Sequence, residues 1–303
     1  MRRLVETLCS DPCSGRAPGS RGGLAARAAI ITALRDAGLD PREQPIAGCG
    51  GANVLATIPG DIDRWVLVSA HYDHLGSWGS RIYRGADDNA AAVAVLVDVA
   101  RALAFSRPRG RGVIVAAFDS EEPPHFLSET MGAEYFASHP NVPLPRIDMM
   151  IGMDLIGHRV GSGRALPAAV TESLFALGAE RSVETSARVA ALADAQPGVH
   201  IRAVDVEVIP PMSDYYAFWK RSVPFLFLTA GRSRNYHTPN DTPELLDWRK
   251  MTATARWLET FVRDMIAHLP DDFSFLMIGV DSTGKRALGK VTRETFRGKT
   301  FDF

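Results

Sequence analysis

The sequence predicts an α/β fold built on a largely parallel sheet. Three observations carry that expectation. Short apolar runs alternate along the chain with longer stretches of helix-forming residues. The runs at 65–70, 112–118 and 147–153 are dominated by apolar residues, as strands buried on both faces are. His71, the acidic stretch Asp119-Ser120-Glu121-Glu122, and Asp154 follow these three runs directly. In open α/β sheets, sites form beyond the carboxyl ends of the strands.

The elements follow in order. Residues 22–37 are rich in helix formers and stop at Gly38. Asn53–Ile58 reads as a strand closed by Pro59-Gly60. Trp65–Ala70 reads as a buried strand that delivers His71. The alanine- and valine-rich stretch 90–104 predicts a helix, with Asp88 and Asn89 where an N-cap belongs. Gly112–Phe118 is a second buried strand, 129–138 a helix, and Ile147–Met153 a third strand ending at Asp154. Helices are expected over 170–177 and 182–195, and strands over 204–209 and 223–229. The stretch 243–267 has no proline after its start and predicts a long final helix.

The chain has 303 residues, 46% of them hydrophobic and 23% charged, a globular balance that supports a sizeable core. One domain is expected over 1–270. Residues 271–303 read as a basic arm or tail, because Lys285, Arg286, Lys290, Arg293, Arg297 and Lys299 are set against the single acid Glu294. The net charge of -1 gives no global reason to expect nucleic acid or an anionic membrane as a partner. No apolar run reaches the roughly 18 residues of a membrane span. Met1-Arg2-Arg3 is not followed by the apolar region of a secretory signal. Three cysteines, Cys9, Cys13 and Cys49, are an odd number and make no disulfide framework. A cytoplasmic location is the expectation.

Five segments carry the chemistry: His71-Tyr72-Asp73, Gly85-Ala86-Asp87-Asp88-Asn89, Glu121-Glu122, Asp154, and Tyr236-His237-Thr238. Together they supply two histidines and several carboxylates, the ligand types of a paired zinc site. His71 suits a terminal ligand, and Asp73 can accept a hydrogen bond from its other ring nitrogen. Asp88, at the start of a helix, can bridge two ions. Side chains of adjacent residues on extended backbone diverge, so one of Glu121 and Glu122 can bind metal while the other acts as a base. Asp87 reads as a turn-bonding residue. His74, His125 and His158 read as packing or surface residues, and His139, His200 and His268 as surface. Trp78, Tyr83, Phe126 and Trp219 read as core rather than pocket. No Gly-x-Ser-x-Gly elbow occurs, and Gly48-Cys49-Gly50-Gly51 leads into a strand rather than a helix, which excludes a dinucleotide loop.

The order and spacing of these segments resemble the co-catalytic dizinc aminopeptidase family, which includes glutamate carboxypeptidase, the glutaminyl cyclases and the non-catalytic transferrin-receptor ectodomain. The resemblance runs from about Arg16 to about Asp247. It includes Gly15-Arg16-Ala17-Pro18-Gly19-Ser20, Met212-Ser213-Asp214 and Tyr236-His237-Thr238-Pro239-Asn240-Asp241-Thr242. It implies a mixed, mainly parallel central sheet flanked by helices, two zinc ions and a peptide substrate. It implies that His71, Asp88 and Asp154 hold one zinc, and that Asp88, Glu122 and His237 hold the other. Glu121 becomes the general base and Asp73 the partner of His71, with a cis bond after Asp88. The implied activity is removal of N-terminal residues from peptides. Cobalt or manganese also suits such donors. A glutaminyl cyclase, a carboxypeptidase using Arg81, Arg84, Arg232 or Arg234 as a clamp, and a non-catalytic module are the alternatives on the same fold.

Two departures stand out. Pro123-Pro124-His125-Phe126 replaces the glycine-containing turn common after the acidic pair in the family. Pro210 stands where some relatives place an oxyanion-steadying tyrosine, with Tyr215, Tyr216 and Tyr236 as possible substitutes.

Overall fold

A computed structural model describes residues 1–106, 109–161, 165–268, 275–280 and 286–291. Its centre is an eight-stranded mixed sheet. The strands are β1 (Arg42–Pro45), β2 (Ala52–Ile58), β3 (Ile62–His71), β4 (Arg111–Phe118), β5 (Ile147–Met153), β6 (Ser173–Leu177), β7 (His200–Val204) and β8 (Phe225–Thr229). Their spatial order is β1-β2-β4-β3-β5-β8-β6-β7. The four central strands β4, β3, β5 and β8 run parallel. Antiparallel pairings join β2 to β4, β1 to β2, and β6 to β8. The expected α/β class and mainly parallel centre are what the structure has.

The helices are α1 (Arg2–Leu8), α2 (Arg21–Asp36), α3 (Ala91–Phe105), α4 (Gly132–Ser138), α5 (Val183–Leu192), α6 (Tyr215–Trp219) and α7 (Trp248–His268). Side chains alternate across the central strands and feed two separate apolar layers. Val66, Val68, Ala70, Val113, Val115 and Ala117 face one layer, which also holds Val93, Leu96, Leu258 and Phe261 from α3 and α7. Leu67, Ile114, Ala116 and Phe118 face the other, with Phe136 of α4 and Phe218 of α6. All eight residues of β4 are buried, as a strand covered on both faces requires. Ser20 starts α2 as its N-cap, accepting a hydrogen bond from Gly23 N at 3.0 Å.

Two expected elements are corrected. The stretch 170–177 is not a helix: a single turn over Ala168–Thr171 gives way to strand β6. Its Leu-Phe-Ala-Leu run suits either state, and pairing with β8 (Phe227 opposite Leu177) decides it. The strand expected over 204–209 lies earlier, as β7. The Asp205 side chain accepts from Glu207 N at 2.8 Å and turns the chain into a 3₁₀ turn over Val206–Val208. Within the expected basic arm, Phe275–Val280 and Arg286–Val291 pair as an antiparallel hairpin. Lys285, Arg293, Glu294, Arg297 and Lys299 lie outside the described residues. No described helix is long and apolar enough to cross a membrane.

Candidate metal centre

Three of the candidate segments sit at carboxyl ends of neighbouring parallel strands. His71 is the last residue of β3, Glu121 and Glu122 follow β4, and Asp154 follows β5. The fourth, Gly85–Asn89, is a tight turn leading into α3. Gly85 begins it at φ 54, a conformation that favours glycine. A Cβ there would lie 2.2 Å from Asp88 O and 2.6 Å from the His74 ring, so the turn and the ring pack on bare backbone. Asp241 fixes this turn from the other side, accepting from Asp87 N at 3.0 Å and Asp88 N at 3.1 Å. Asn89 Nδ2 donates to Met153 O at 2.9 Å, tying the turn to the end of β5. The Asp88–Asn89 peptide bond is cis, as the family resemblance implies. His237 comes from the loop between β8 and α7.

The side chains converge. His71 is fully buried, with Nε2 3.4 Å from both Asp88 Oδ1 and Asp154 Oδ1 and 3.9 Å from Glu121 Oε2. Its Nδ1 lies 3.5 Å from Asp73 Oδ1. Asp73 also accepts from Glu121 N at 3.0 Å and Glu122 N at 3.1 Å, so it pins the acidic pair. His237 Nε2 lies 3.1 Å from Asp88 Oδ2 and 3.1 Å from Glu122 Oε2. Ser213 Oγ donates to Asp154 Oδ2 at 3.2 Å. Thus His71, Asp73, Asp88, Glu121, Glu122, Asp154 and His237 all come together around Asp88.

Several residues that the sequence did not assign to a metal lie here, among them His74, which read as a packing or surface residue. His74 is fully buried, and its Nδ1 lies 2.9 Å from Glu122 Oε1 and 3.8 Å from Asp88 Oδ2. The only sequence signal for it is its place three residues after His71. Asp214 is 3% exposed, next to Ser213 in a segment already part of the resemblance. Asp119 accepts from the Tyr72 hydroxyl at 2.6 Å and from Ala52 N at 2.9 Å, bracing the strand ends. Asp87 bonds the chain as expected, accepting from Gly157 N at 2.7 Å and meeting His158 Nδ1 at 2.6 Å. Of the three tyrosines, Tyr215 is buried and donates to Pro210 O at 3.3 Å, and Tyr216 packs edge-on against Trp219. Tyr236 stacks on His237 with centroids 3.8 Å apart. Arg84 is engaged with Cys9 O and Asp11, and Arg232 lies over the Tyr236 ring.

The electrostatics follow from concentrating carboxylates out of water. Burial and the charge of Glu122 raise the Asp88 pKa to about 6. Burial raises Asp214 to about 7. Burial, with the neighbouring Asp154 and Glu122, holds Glu121 well above the usual carboxylate range despite the opposing pull of His71. Burial opposes a charge on His237, but the adjoining carboxylates of Asp88 and Glu122 carry its pKa up to about 9. His74 goes the other way, down to about 3, because burial outweighs the attraction of Asp88. A neutral His74 carries one ring proton, and at Nδ1 it donates to Glu122.

The donor set fits a cation. His71, Asp88 and Asp154 form one group able to hold an ion, and His74, Asp88 and Glu122 another. His71 Nε2, Asp88 Oδ2 and Asp154 Oδ1 are buried without a hydrogen-bond partner. Around tetrahedral zinc, with bonds of about 2.0–2.2 Å, ligand atoms stand about 3.3–3.5 Å apart. The 3.4 Å separations at His71 match that spacing.

Known proteins resemble this chain in sequence and in fold. Residues 53–262 match the model of peptidase family M28. The uncharacterized protein YfbL of Escherichia coli (strain K12) is 27% identical over 229 residues, 69% of this chain and 70% of that one. The solved LapA aminopeptidase of Legionella pneumophila superposes with a TM-score of 0.72 at 15% identity, over 89% of this chain and 73% of that one. The Porphyromonas gingivalis glutaminyl cyclase superposes with a TM-score of 0.68 at 17% identity, over 88% of this chain and 97% of that one.

Proposed function

The chain belongs to peptidase family M28, and on that premise we propose that it is a zinc-dependent aminopeptidase, removing the first residue of peptides. The observation that carries the reading is the convergence of buried donors on Asp88, which touches both halves of the site. In this reading His71, Asp88 and Asp154 hold one zinc, and Asp88, Glu122 and His237 the other. His237 is preferred to His74 as the ligand because its Nε2 is equidistant from Asp88 and Glu122. His74 instead sits at hydrogen-bond distance from Glu122 alone and orients it.

The two ions supply positive charge that polarises a scissile carbonyl and makes a water more acidic. Everything else falls to the chain. Glu121 is the general base: it takes a proton from the attacking water and returns it to the leaving amine. Its burial favours the protonated form, the state it passes through between the two transfers. Asp73 holds the His71 ring through Nδ1 and fixes the backbone of the acidic pair, so that Glu121 and Glu122 diverge. Ser213 keeps Asp154 turned inward. Tyr236, with its ring against His237, is the tyrosine best placed to steady the oxyanion in place of the missing one at Pro210.

The test is chelation followed by zinc add-back, read on aminoacyl anilides. Activity is expected to vanish with the metal and return with zinc. Activity that survives complete metal removal contradicts the proposal. The likeness to a glutaminyl cyclase structure favours one second reading. A peptide with N-terminal glutamine separates the two: cyclisation without hydrolysis of other peptides selects the cyclase.

A further inference from the structure

Arg16 is fully buried, yet among the described residues it forms no ion pair. It lies outside the residues matched by the family model. All its hydrogen bonds go to backbone carbonyls. Nε donates to Tyr72 O at 2.7 Å. Nη1 donates to Leu8 O at 3.0 Å and Arg84 O at 2.5 Å. Nη2 donates to Gly85 O at 2.9 Å and Asp88 O at 3.3 Å. A guanidinium has five N–H groups in a planar fork, and here each meets one carbonyl.

We propose that Arg16 is a positioning residue for the metal centre: it sets the spacing between the His71 segment and the Asp88 turn before any cation binds. The inference rests on reading His71 and Asp88 as metal ligands. Tyr72 lies between His71 and Asp73, and Gly85 and Asp88 open and carry the turn. One rigid fork therefore grips both segments through their main chain. The Arg16 carbonyl adds a contact, accepting from His74 N at 3.4 Å, and Gly15 O accepts from Gly76 N at 2.9 Å beside it. Burying an unpaired cation is costly, and paired arginines are the usual solution. Here the charge is offset by the dipoles of the five carbonyls. Lysine, a point charge with three donors, cannot reproduce the fork.

The experiment compares Arg16→Lys and Arg16→Met with Arg111→Lys. Arg111 is also buried, but it starts β4, at the end of the strand opposite Glu121, and bonds Asp148 of β5. Zinc affinity is read by competition with a chromogenic chelator, with circular dichroism to establish folding. Arg16 variants are expected to lose about 10–100-fold in zinc affinity, with kcat recovering at saturating zinc. Arg111→Lys is expected to lower the thermal midpoint and leave zinc affinity unchanged. Folded Arg16 variants with wild-type affinity overturn the inference. Hydrogen exchange on the wild-type protein, loaded and stripped of zinc, decides the matter even if the variants fail to fold. Amides at 71–74 and 85–89 should stay protected after stripping; exchange at unfolded rates there overturns the role. Wild-type protein that takes up no zinc refutes the ligand assignment instead, and the exchange pattern still judges Arg16.

Discussion

Glu121 and Glu122 are neighbours in sequence with different surroundings. Glu122 faces His74 and His237, whereas Glu121 lies toward His71 and Asp154. A base that only shuttles a proton can be removed without dismantling a metal site. Glu121→Gln is therefore expected to lower kcat by about 10²–10⁴-fold, the usual worth of general-base catalysis, with zinc content unchanged. Glu122→Gln is expected to weaken zinc at one half of the site. Metal analysis and turnover on both variants check this, and loss of zinc in Glu121→Gln alone reverses the two roles. The acidic pair was legible in the sequence because it directly follows an apolar run. His74 was not: its identity is visible, but its direction is set by the bare backbone of Gly85 eleven residues on, which no local pattern reports.

At the scale of elements, the parallel strands deliver the chemistry and the turn into α3 completes it. That turn works only with a glycine at its head, since a Cβ at Gly85 meets Asp88 O and the His74 ring. Gly85→Ala is expected to displace Asp88 and to lower zinc affinity at least tenfold, an effect of the size seen when metal-supporting contacts are lost. Chelator competition on the folded variant measures it, and unchanged affinity counts against the turn as the support of Asp88. The central strands were legible because burial on both faces leaves long apolar runs, as in β4. The edge of the sheet was not. Strand β6 carries a pattern shared with helices, and its state is fixed by pairing with β8, a contact made across some fifty residues of chain. At 204–209 a single side-chain hydrogen bond from Glu207 N to Asp205 ended the strand early.

For the whole molecule, the layered fold explains why so many carboxylates tolerate burial. Two apolar layers hold the sheet, and the polar groups collect beyond one end of its strands, where amides hold Asp73 and a hydroxyl holds Asp154. Buried carboxylates with raised pKa values store a demand for positive charge that cations can meet. The central claim is that Asp88 joins two metal sites into one centre. Its most direct test is the metal content of the purified, zinc-loaded protein, measured per chain by elemental analysis alongside Asp88→Ala. Two zinc ions per wild-type chain, with both weakened by the single substitution, is the predicted result. One ion or none in the wild type, or an Asp88→Ala protein that keeps two tightly bound, would contradict it.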